Sequence, residues 1–173
     1  MAVDMFLKIE GIEGESADAT AAQNGSKAAH GKEIDVLSWS WGLSQSGSSH
    51  FGGGGGSGKV NVQDISITKR IDRSSPNLIQ SCCTGEHFKL ASLVMRKAGG
   101  KKGPVEYLTI KMNDVIVSSV TTGGSGGSDI LTENVSLNFA SFNITYQEQA
   151  QDGPPKGGEV KSGFSISQNK VVG

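Results

Sequence analysis

Alternating apolar and polar residues indicate that most of this chain is β-structure. In the run EIDVLSWSWGLSQ every second residue from Leu37 to Leu43 is apolar, and small or polar residues such as Ser38 and Ser40 lie between them. A period of two is typical of a strand with one face on a core and the other facing water. We therefore expect Trp39 and Trp41 to pack inward, and Ser38 and Ser40 to face away from the core.

Further strands are predicted at residues 5–9, 89–97, 105–120, 133–146 and 160–167, and after the glycine-rich stretch that ends at Gly58. The alternation changes phase between Val62 and Ile65, within 105–120, and between Phe139 and Phe142. A phase change of this kind indicates a β-bulge or a sharp bend, which closed or strongly coiled sheets require. The number and spacing of the strands favour a mainly β antiparallel barrel or a sandwich.

One short helix is predicted in SSPNLIQSCCTGEHF. Ser75 suits the N-cap, Pro76 the first helical position, and Gly85 the residue just past the end. We expect the helix to close one end of the barrel, with its apolar side chains on one buried face. These side chains are Leu78, Ile79, Cys82 and Cys83.

The 25 glycines are clustered, whereas prolines number only 4. The clusters lie at 52–58, 99–103, 123–127 and 153–158, which indicates loops between ordered segments within a single domain spanning residues 1–173. We expect flexible loops at about 13–32, 46–58 and 121–129, and mobile residues at the C-terminus.

The stretch HFGGGGGSGKVNV resembles the phosphate-binding pattern G-x-x-x-x-G-K-[ST], but the match fails in two respects. Val60 stands where a hydroxyl would bind Mg²⁺, and the residues that follow have strand periodicity, whereas a phosphate loop opens a helix. The sequence therefore predicts a long hairpin loop here and not a nucleotide site.

That loop also favours assembly between chains. Ordering the residues from Phe51 to Gly58 costs on the order of 10 kcal/mol, because each fixed backbone residue costs about 1–2 kcal/mol and few side chains compensate. We expect such a loop to be ordered by a neighbouring molecule, with Phe51 as its anchor; an isolated exposed aromatic is the alternative. The tract from Thr121 to Asp129 could act in the same way.

Composition excludes several classes of function. The formal net charge is −1, which gives no reason to expect nucleic acid as a partner, and no apolar run is long enough for a membrane span or a signal peptide. Cys82 and Cys83 are adjacent and cannot form a disulfide framework. The histidines lack metal-ligand spacing and no G-x-S-x-G motif occurs, so we expect no metal, no cofactor and no catalytic residues.

Several separated segments resemble one family. They include MAVDMFLKIEGIEGES, EIDVLSWSWGLSQSGS, GGGGGSGKVNVQDISITKRID, VEYLTIKMNDVIVSSVTTGGSGG and LTENVSLNFASFNITYQ, and the chain is similar in these to Hcp, the haemolysin-coregulated protein family of bacterial type VI secretion systems. The resemblance implies a small β-barrel with a short helix. It also implies hexameric rings that stack into the inner tube, inside a contractile sheath and beneath a VgrG-type spike.

The resemblance also implies roles for particular residues. Ser38 and Ser40 would face the lumen of the ring and contact secreted effectors, and the loop from Ser46 to Gly58 would be a protruding hairpin that contacts neighbouring subunits or the next ring. The family's first loop is usually shorter than residues 17–32 of this chain. The residues expected in the ring and stacking loop are Phe51, Gly52, Gly53, Gly54, Gly55, Gly56, Ser57 and Gly58.

We therefore expect a structural protein that is made in the bacterial cytoplasm and secreted without a cleaved signal peptide. The alternative is a secreted β-barrel binding module, for example a carbohydrate-binding one. Such a module would be expected to carry exposed aromatic residues flanked by Asp, Asn or Arg on its loops, whereas these loops are rich in Gly and Ser.

Overall fold

The computed structural model describes residues 3–20, 22, 29–46, 59–97 and 103–173. Within them the chain forms ten strands and one short helix. In chain order these are β1 (Val3–Ile9), β2 (Ile34–Ser40), β3 (Leu43–Gln45), β4 (Val60–Val62), β5 (Ile65–Arg70), α1 (Ser75–Thr84), β6 (His87–Lys97), β7 (Val105–Gly123), β8 (Thr132–Tyr146), β9 (Val160–Ser165) and β10 (Lys170–Val171).

Six of the strands close into an antiparallel barrel, which confirms the predicted fold class. The order around the barrel is β8, β5, β2, β1, β6, β7, and β7 pairs with β8 to complete the circle. The first part of β8 pairs with β5, and its last part, from Ser141 to Tyr146, pairs with β9. β10 pairs with β9 at the outside of the sheet, and β3 and β4 form a separate two-stranded hairpin.

The core fills the interior of this barrel with aliphatic side chains from all six strands. Inward residues alternate along each strand, as Leu7 and Ile9 do on β1 and Ile65 and Ile67 do on β5, all at most 1% exposed.

The predicted phase changes coincide with bends. Asp114 has a positive φ of 52°, and opposite it β8 changes phase between Phe139 and Phe142. Met112 pairs with Phe142 and Val115 with Phe139, and all four side chains are buried. Both strands therefore bend at one level while the core stays continuous. The change between Val62 and Ile65 is the junction of β4 and β5.

The predicted apolar face from Leu37 to Leu43 is wrong at its first and last residues. A register shift between Val36 and Ser38 leaves Leu37 43% exposed, and Leu43 is 48% exposed because it belongs to β3, outside the barrel. Trp39 and Trp41 pack against the core, as expected.

The helix begins one residue earlier than predicted. Ser74 is the N-cap residue and Ser75 is the first residue of α1, so the prediction of Ser75 as the cap is wrong. The Ser75 hydroxyl instead donates to Glu133 Oε1 at 2.6 Å. Gly85 ends the helix as predicted, with a left-handed φ of 67° that glycine adopts at no steric cost.

The buried face of α1 is narrower than predicted. Leu78 is fully buried in the barrel core and Cys82 is half-buried against it, whereas Ile79 is 41% exposed and Cys83 is exposed. The helix contacts β7, and its other buried side chains are those of Ser75 and Ser81. The prediction of a shared apolar face is therefore wrong for Ile79 and Cys83.

Candidate assembly surface

Four adjacent strands present a surface of small, uncharged polar side chains. The register places Ser40, Ser66, Ser136 and Ser119 side by side in one row across β2, β5, β8 and β7. A second row is formed by Ser38, Thr68, Asn134 and Thr121. These eight residues, which we call the polar face, lie on the side of the strands opposite the core.

Hydrogen bonds between neighbouring strands order the polar face. The hydroxyl oxygens of Ser66 and Ser136 lie 3.0 Å apart, and Thr68 Oγ1 donates to Asn134 Oδ1 at 2.7 Å. Ser38 and Ser40 are exposed at its β2 side. The surface therefore offers hydrogen-bond donors and acceptors without a formal charge.

The same four-stranded segment has two free edges. β2 pairs with β1 only at Ile34 and Asp35, so residues 36–40 have no partner on that side among the described strands. The ladder between β6 and β7 ends at Ile116, and among the described strands residues 117 and 119–123 pair only with β8. Unpaired edges are templates for strand addition.

A groove of about 450 Å³ runs beside the β2 edge. Its walls are residues 3–6 of β1, Glu15, residues 35–37 of β2, and residues 70–72 at the end of β5. Leu37 and Ile71 expose 43% and 41% of their surface in this region. Exposed apolar side chains beside an unpaired strand edge are typical of a surface that another chain covers.

The β3–β4 hairpin lies outside the barrel sheet. Leu43 pairs with Val62 and Ser44 with Asn61, so successive pairs alternate between apolar and polar. Trp41 Nε1 donates to the carbonyl oxygen of Gln63 at 2.9 Å and holds the base of the hairpin. An isolated two-stranded hairpin is marginally stable in water. The predicted stacking-loop residues, Phe51 to Gly58, lie outside the described residues.

On the other half of the barrel, the described parts of the first loop cover the outer face of β1, β6 and β7. The ring of His30 stacks on Phe6 with centroids 4.5 Å apart. Its Nδ1 lies 2.7 Å from Glu33 Oε2 and its Nε2 lies 3.1 Å from Glu106 Oε1. Burial alone would lower the pKa of His30, but the hydrogen bonds and negative charges of Glu106 and Glu33 outweigh it and raise the pKa to about 9.

A second anchor joins this loop to β6. Arg96 is 3% exposed and binds both carboxylate oxygens of Asp18, at 2.8 and 3.0 Å, and the carbonyl oxygen of Thr20 at 2.8 Å. Burial alone would raise the pKa of Asp18. The hydrogen bond and positive charge of Arg96, together with hydrogen bonds from the backbone N–H groups of His30 and Thr20, outweigh burial and lower this pKa. The charged half of the barrel surface thus contrasts with the uncharged polar face.

A buried ion pair that sequence reasoning missed lies where β5 ends and β8 begins, beside α1. Lys69 and Glu133 are adjacent in register, and both side chains are fully buried, with Nζ and Oε1 2.6 Å apart. Their inward positions follow from the alternation on each strand, but the residues are 64 positions apart, and no local signal links them.

Comparison with known proteins agrees with this architecture. Residues 6–146 match the family described as "Type VI secretion system effector, Hcp". The chain belongs to the Hcp family. It is 59% identical over 169 residues to Protein hcp1 of Pseudomonas aeruginosa, covering 98% of each chain. This confirms the family to which the sequence segments pointed.

Solved structures of other Hcp proteins share the fold. Hcp1 from Salmonella typhimurium is 39% identical, with a TM-score of 0.77 and coverage of 99% of this chain and 100% of that one. A type VI secretion system effector from Yersinia pestis is 35% identical, with a TM-score of 0.71 and coverage of 94% and 99%. Family membership makes this chain a structural component of a type VI secretion system.

The described part of this Hcp chain contains no group of three or more His, Cys, Asp or Glu side chains placed to bind a metal. His30 is held by Glu33 and Glu106, and His87 Nδ1 lies 2.7 Å from Asp114 at an exposed site. His50 lies outside the described residues. No helix among the described residues has the length and apolar character to span a bilayer.

Proposed function

We propose that this chain is the protomer of a hexameric ring that stacks into the inner tube of a type VI secretion system. The observation that carries the proposal is the four-stranded segment that bears the polar face, flanked by Arg70 and Asp64, and has a free edge on each side. The number six comes from the family resemblance.

The two free edges support a ring because they belong to different strands. The β2 edge of one copy can pair with the β7 edge of the next, which is a head-to-tail joint. A row of copies joined in this way keeps one free edge at each of its two ends, so further copies can add until the ring closes. Pairing at the joint satisfies backbone groups at residues 36–40 and 117–123 and covers Leu37 and Ile71.

The position of the barrel core supports the assignment of the polar face to the lumen. In the closed ring, the four-stranded segments of all copies form one continuous sheet. The core, β1, β6 and the first loop lie behind this sheet, so the bulk of each protomer faces outward. Ser38, Ser40 and the rest of the polar face then line the lumen, and the charged, loop-covered half faces the contractile sheath.

A lumen lined mainly by uncharged polar groups suits the transport of different proteins. Hydroxyl and amide groups can hydrogen-bond to an effector, but they carry no fixed charge that would bind one cargo strongly or repel another. We therefore propose that secreted effectors are carried or chaperoned in the lumen, and that the protein leaves the cell with them and without a cleaved signal peptide.

Stacking is assigned to the β3–β4 hairpin and the loop that it leads into. Val62 packs against the core, but its partner Leu43 is 48% exposed, so contact with a copy in the next ring would cover Leu43 and stabilise the hairpin. The end of the resulting tube would meet the VgrG-type spike.

The joint is tested with a proline at the β7 edge. Ser118 lies in the register shift of β7, where it has no partner on β8 in the ladder, so Ser118→Pro removes an edge N–H group and spares that ladder. Ser118→Ala is the matched control, because both variants lose the hydroxyl contact with Asp64. Sedimentation velocity at micromolar concentration should show rings for the wild type and Ser118→Ala, and monomers for Ser118→Pro.

A second variant tests the opposite edge. Leu37→Asp places a charge on a side chain that is already exposed in the monomer, so urea unfolding of the monomer should be unchanged while rings are lost. Rings that form normally in both Ser118→Pro and Leu37→Asp would refute the joint.

A further inference from the structure

We propose that Lys69 is a positioning residue for the ring joint: from inside the barrel it fixes residues 70–72, which form one wall of the groove beside the β2 edge. The inference rests on the proposed function, because it assigns a role in the joint between protomers to a side chain that does not itself reach the surface.

Lys69 stands at the centre of a compact polar network. Four oxygen atoms lie within 3.1 Å of its Nζ, which has three N–H groups to donate. They are the carbonyl oxygen of Arg70 at 2.9 Å, Asp72 Oδ1 at 2.9 Å, Ser75 Oγ at 3.1 Å and Glu133 Oε1 at 2.6 Å.

The network continues from Lys69 into the turn between β5 and α1. Asp72 Oδ1, held by Lys69, accepts hydrogen bonds from the backbone N–H and the hydroxyl of Ser74. Ser75 Oγ accepts from the backbone N–H of Asp72 at 3.1 Å and donates to Glu133. Lys69 thus ties residues 72–75 to the barrel interior, while Ile71 is held in addition by its N–H, which donates to the carbonyl oxygen of Leu131 at 3.0 Å.

The outer side of the same turn faces the β2 edge. Arg70, Ile71 and Asp72 line the groove together with Leu37 and the first residues of β1. A neighbouring strand that pairs with β2 must fit between these walls. A displacement of Ile71 or Asp72 would narrow or open the groove without changing β2 itself.

Stability alone does not account for the ion pair. Lys69 and Glu133 are both fully buried, and an apolar pair of similar size is often as stable as a buried ion pair. Glu133 Oε2 also has no hydrogen-bond partner, which adds a desolvation cost. What an apolar pair cannot do is hold Asp72 and the carbonyl group of Arg70.

The double variant Lys69→Met with Glu133→Leu removes both members of the buried pair, while the Asp72 carboxylate loses its ammonium partner and keeps its hydrogen bonds from Ser74. We expect the far-UV circular dichroism of the monomer to stay close to that of the wild type, and its urea midpoint to fall because the Asp72 carboxylate has lost its partner. The protomer concentration at which half of the rings dissociate should rise at least tenfold. Asp72→Ala leaves the Lys69–Glu133 pair intact and removes the carboxylate that Lys69 and Ser74 share, so it should weaken the rings in the same direction.

Arg73→Ala is the matched control within the same turn, because Arg73 is exposed and makes no contact with Lys69 in the network. It should leave ring dissociation unchanged. Equal weakening by Arg73→Ala and Asp72→Ala would contradict a specific role for Lys69.

A mixing experiment separates positioning from general damage to the fold. The double variant keeps an intact β7 edge, and Ser118→Pro keeps an intact β2 edge and groove. At a concentration where each variant alone is monomeric, an equimolar mixture of the two should give a heterodimer by native mass spectrometry. General damage to the double variant would give no heterodimer, and that result would overturn the proposal.

The outcomes distinguish this inference from the proposed function. If the wild type forms rings, Ser118→Pro does not, and the double variant forms rings as readily as the wild type, Lys69 has no positioning role and the ring proposal stands. If the wild type itself remains monomeric, the proposed function fails and this inference fails with it.

Discussion

Protonated His30 should make the stability of the barrel depend on pH in an unusual range. The pKa of His30 is raised to about 9 in the folded chain, compared with about 6.5 when unfolded, because Glu33 and Glu106 both bind its ring. The folded state therefore holds its proton more tightly. The resulting stabilisation is complete below pH 6.5 and is lost as the pH rises through 9.

The magnitude follows from the difference between the two pKa values. A shift from about 6.5 to about 9 corresponds to about 3 kcal/mol, and the free energy of unfolding should fall by about 1.4 kcal/mol for each pH unit in that interval. This is a large share of the roughly 5–15 kcal/mol by which a typical folded domain is stable against unfolding. His30 is 5% exposed, so solvent screening reduces the effect little.

Urea unfolding followed by tryptophan fluorescence measures this effect, because Trp39 and Trp41 pack against the core. The measurement belongs in the Ser118→Pro background, where ring formation does not contribute to stability. His30→Gln is the control, since it removes the titrating group and retains a polar side chain. Between pH 6 and pH 10 the free energy of unfolding should fall by about 3 kcal/mol more for the protein with His30 than for His30→Gln. Parallel pH profiles for the two proteins would refute the reasoning.

Three further predictions concern stability and are measured by the same unfolding assay. Leu78→Ala should cost about 2–5 kcal/mol, whereas Ile79→Ala should cost less than about 1 kcal/mol, because only Leu78 is buried; equal losses would contradict the buried face of α1. Gly163→Ala should cost about 1–3 kcal/mol, since its Cβ would collide with the side-chain amide of the paired residue on β8, while Gly158→Ala has open space and should be neutral. Arg96→Met should cost about 1–3 kcal/mol, because Asp18 loses its cation and keeps only the hydrogen bonds from the backbone N–H groups of His30 and Thr20; no measurable loss would show that the first loop is not anchored there.

The strands and their bends could be predicted because both depend on local patterns. Alternation over a few residues placed β6, β7 and β8 to within a few residues of their ends. The phase change between Phe139 and Phe142 is likewise a local signal. β2 was harder, because a bulge at Leu37 changes the phase within one short strand and an apolar residue then points outward.

The charged anchors could not be predicted, because each joins residues far apart in the chain. Arg96 and Asp18 are 78 positions apart, and the polar composition of the first loop indicated a long mobile segment. In the described parts of that loop, Gly14 N–H donates to the carbonyl oxygen of Lys32 at 2.8 Å, and Lys32 N–H donates to that of Ser16 at 2.7 Å. Hydrogen bonds between loop arms leave no periodic trace in the sequence.

The polar face was only partly visible in the sequence. Ser38 and Ser40 stood out by alternation, whereas their alignment with Ser66, Ser136 and Ser119 depends on the register between strands. Register is a tertiary property that one strand does not specify. The lumen role of Ser38 and Ser40 and the stacking role of residues 51–58 remain predictions.

Cross-linking across the joint tests the central proposal most directly. A chain with Leu37→Cys and Thr121→Cys, in which Cys82 and Cys83 are replaced by serine, carries one thiol near each free edge. Treatment with a short flexible bismaleimide should give a ladder of bands on denaturing gels that ends at six protomers. Chains that carry only one of the two new cysteines should give no band beyond a dimer when they are mixed. A double-cysteine chain that stays monomeric, or a ladder that continues past six, would contradict a hexameric ring joined through β2 and β7.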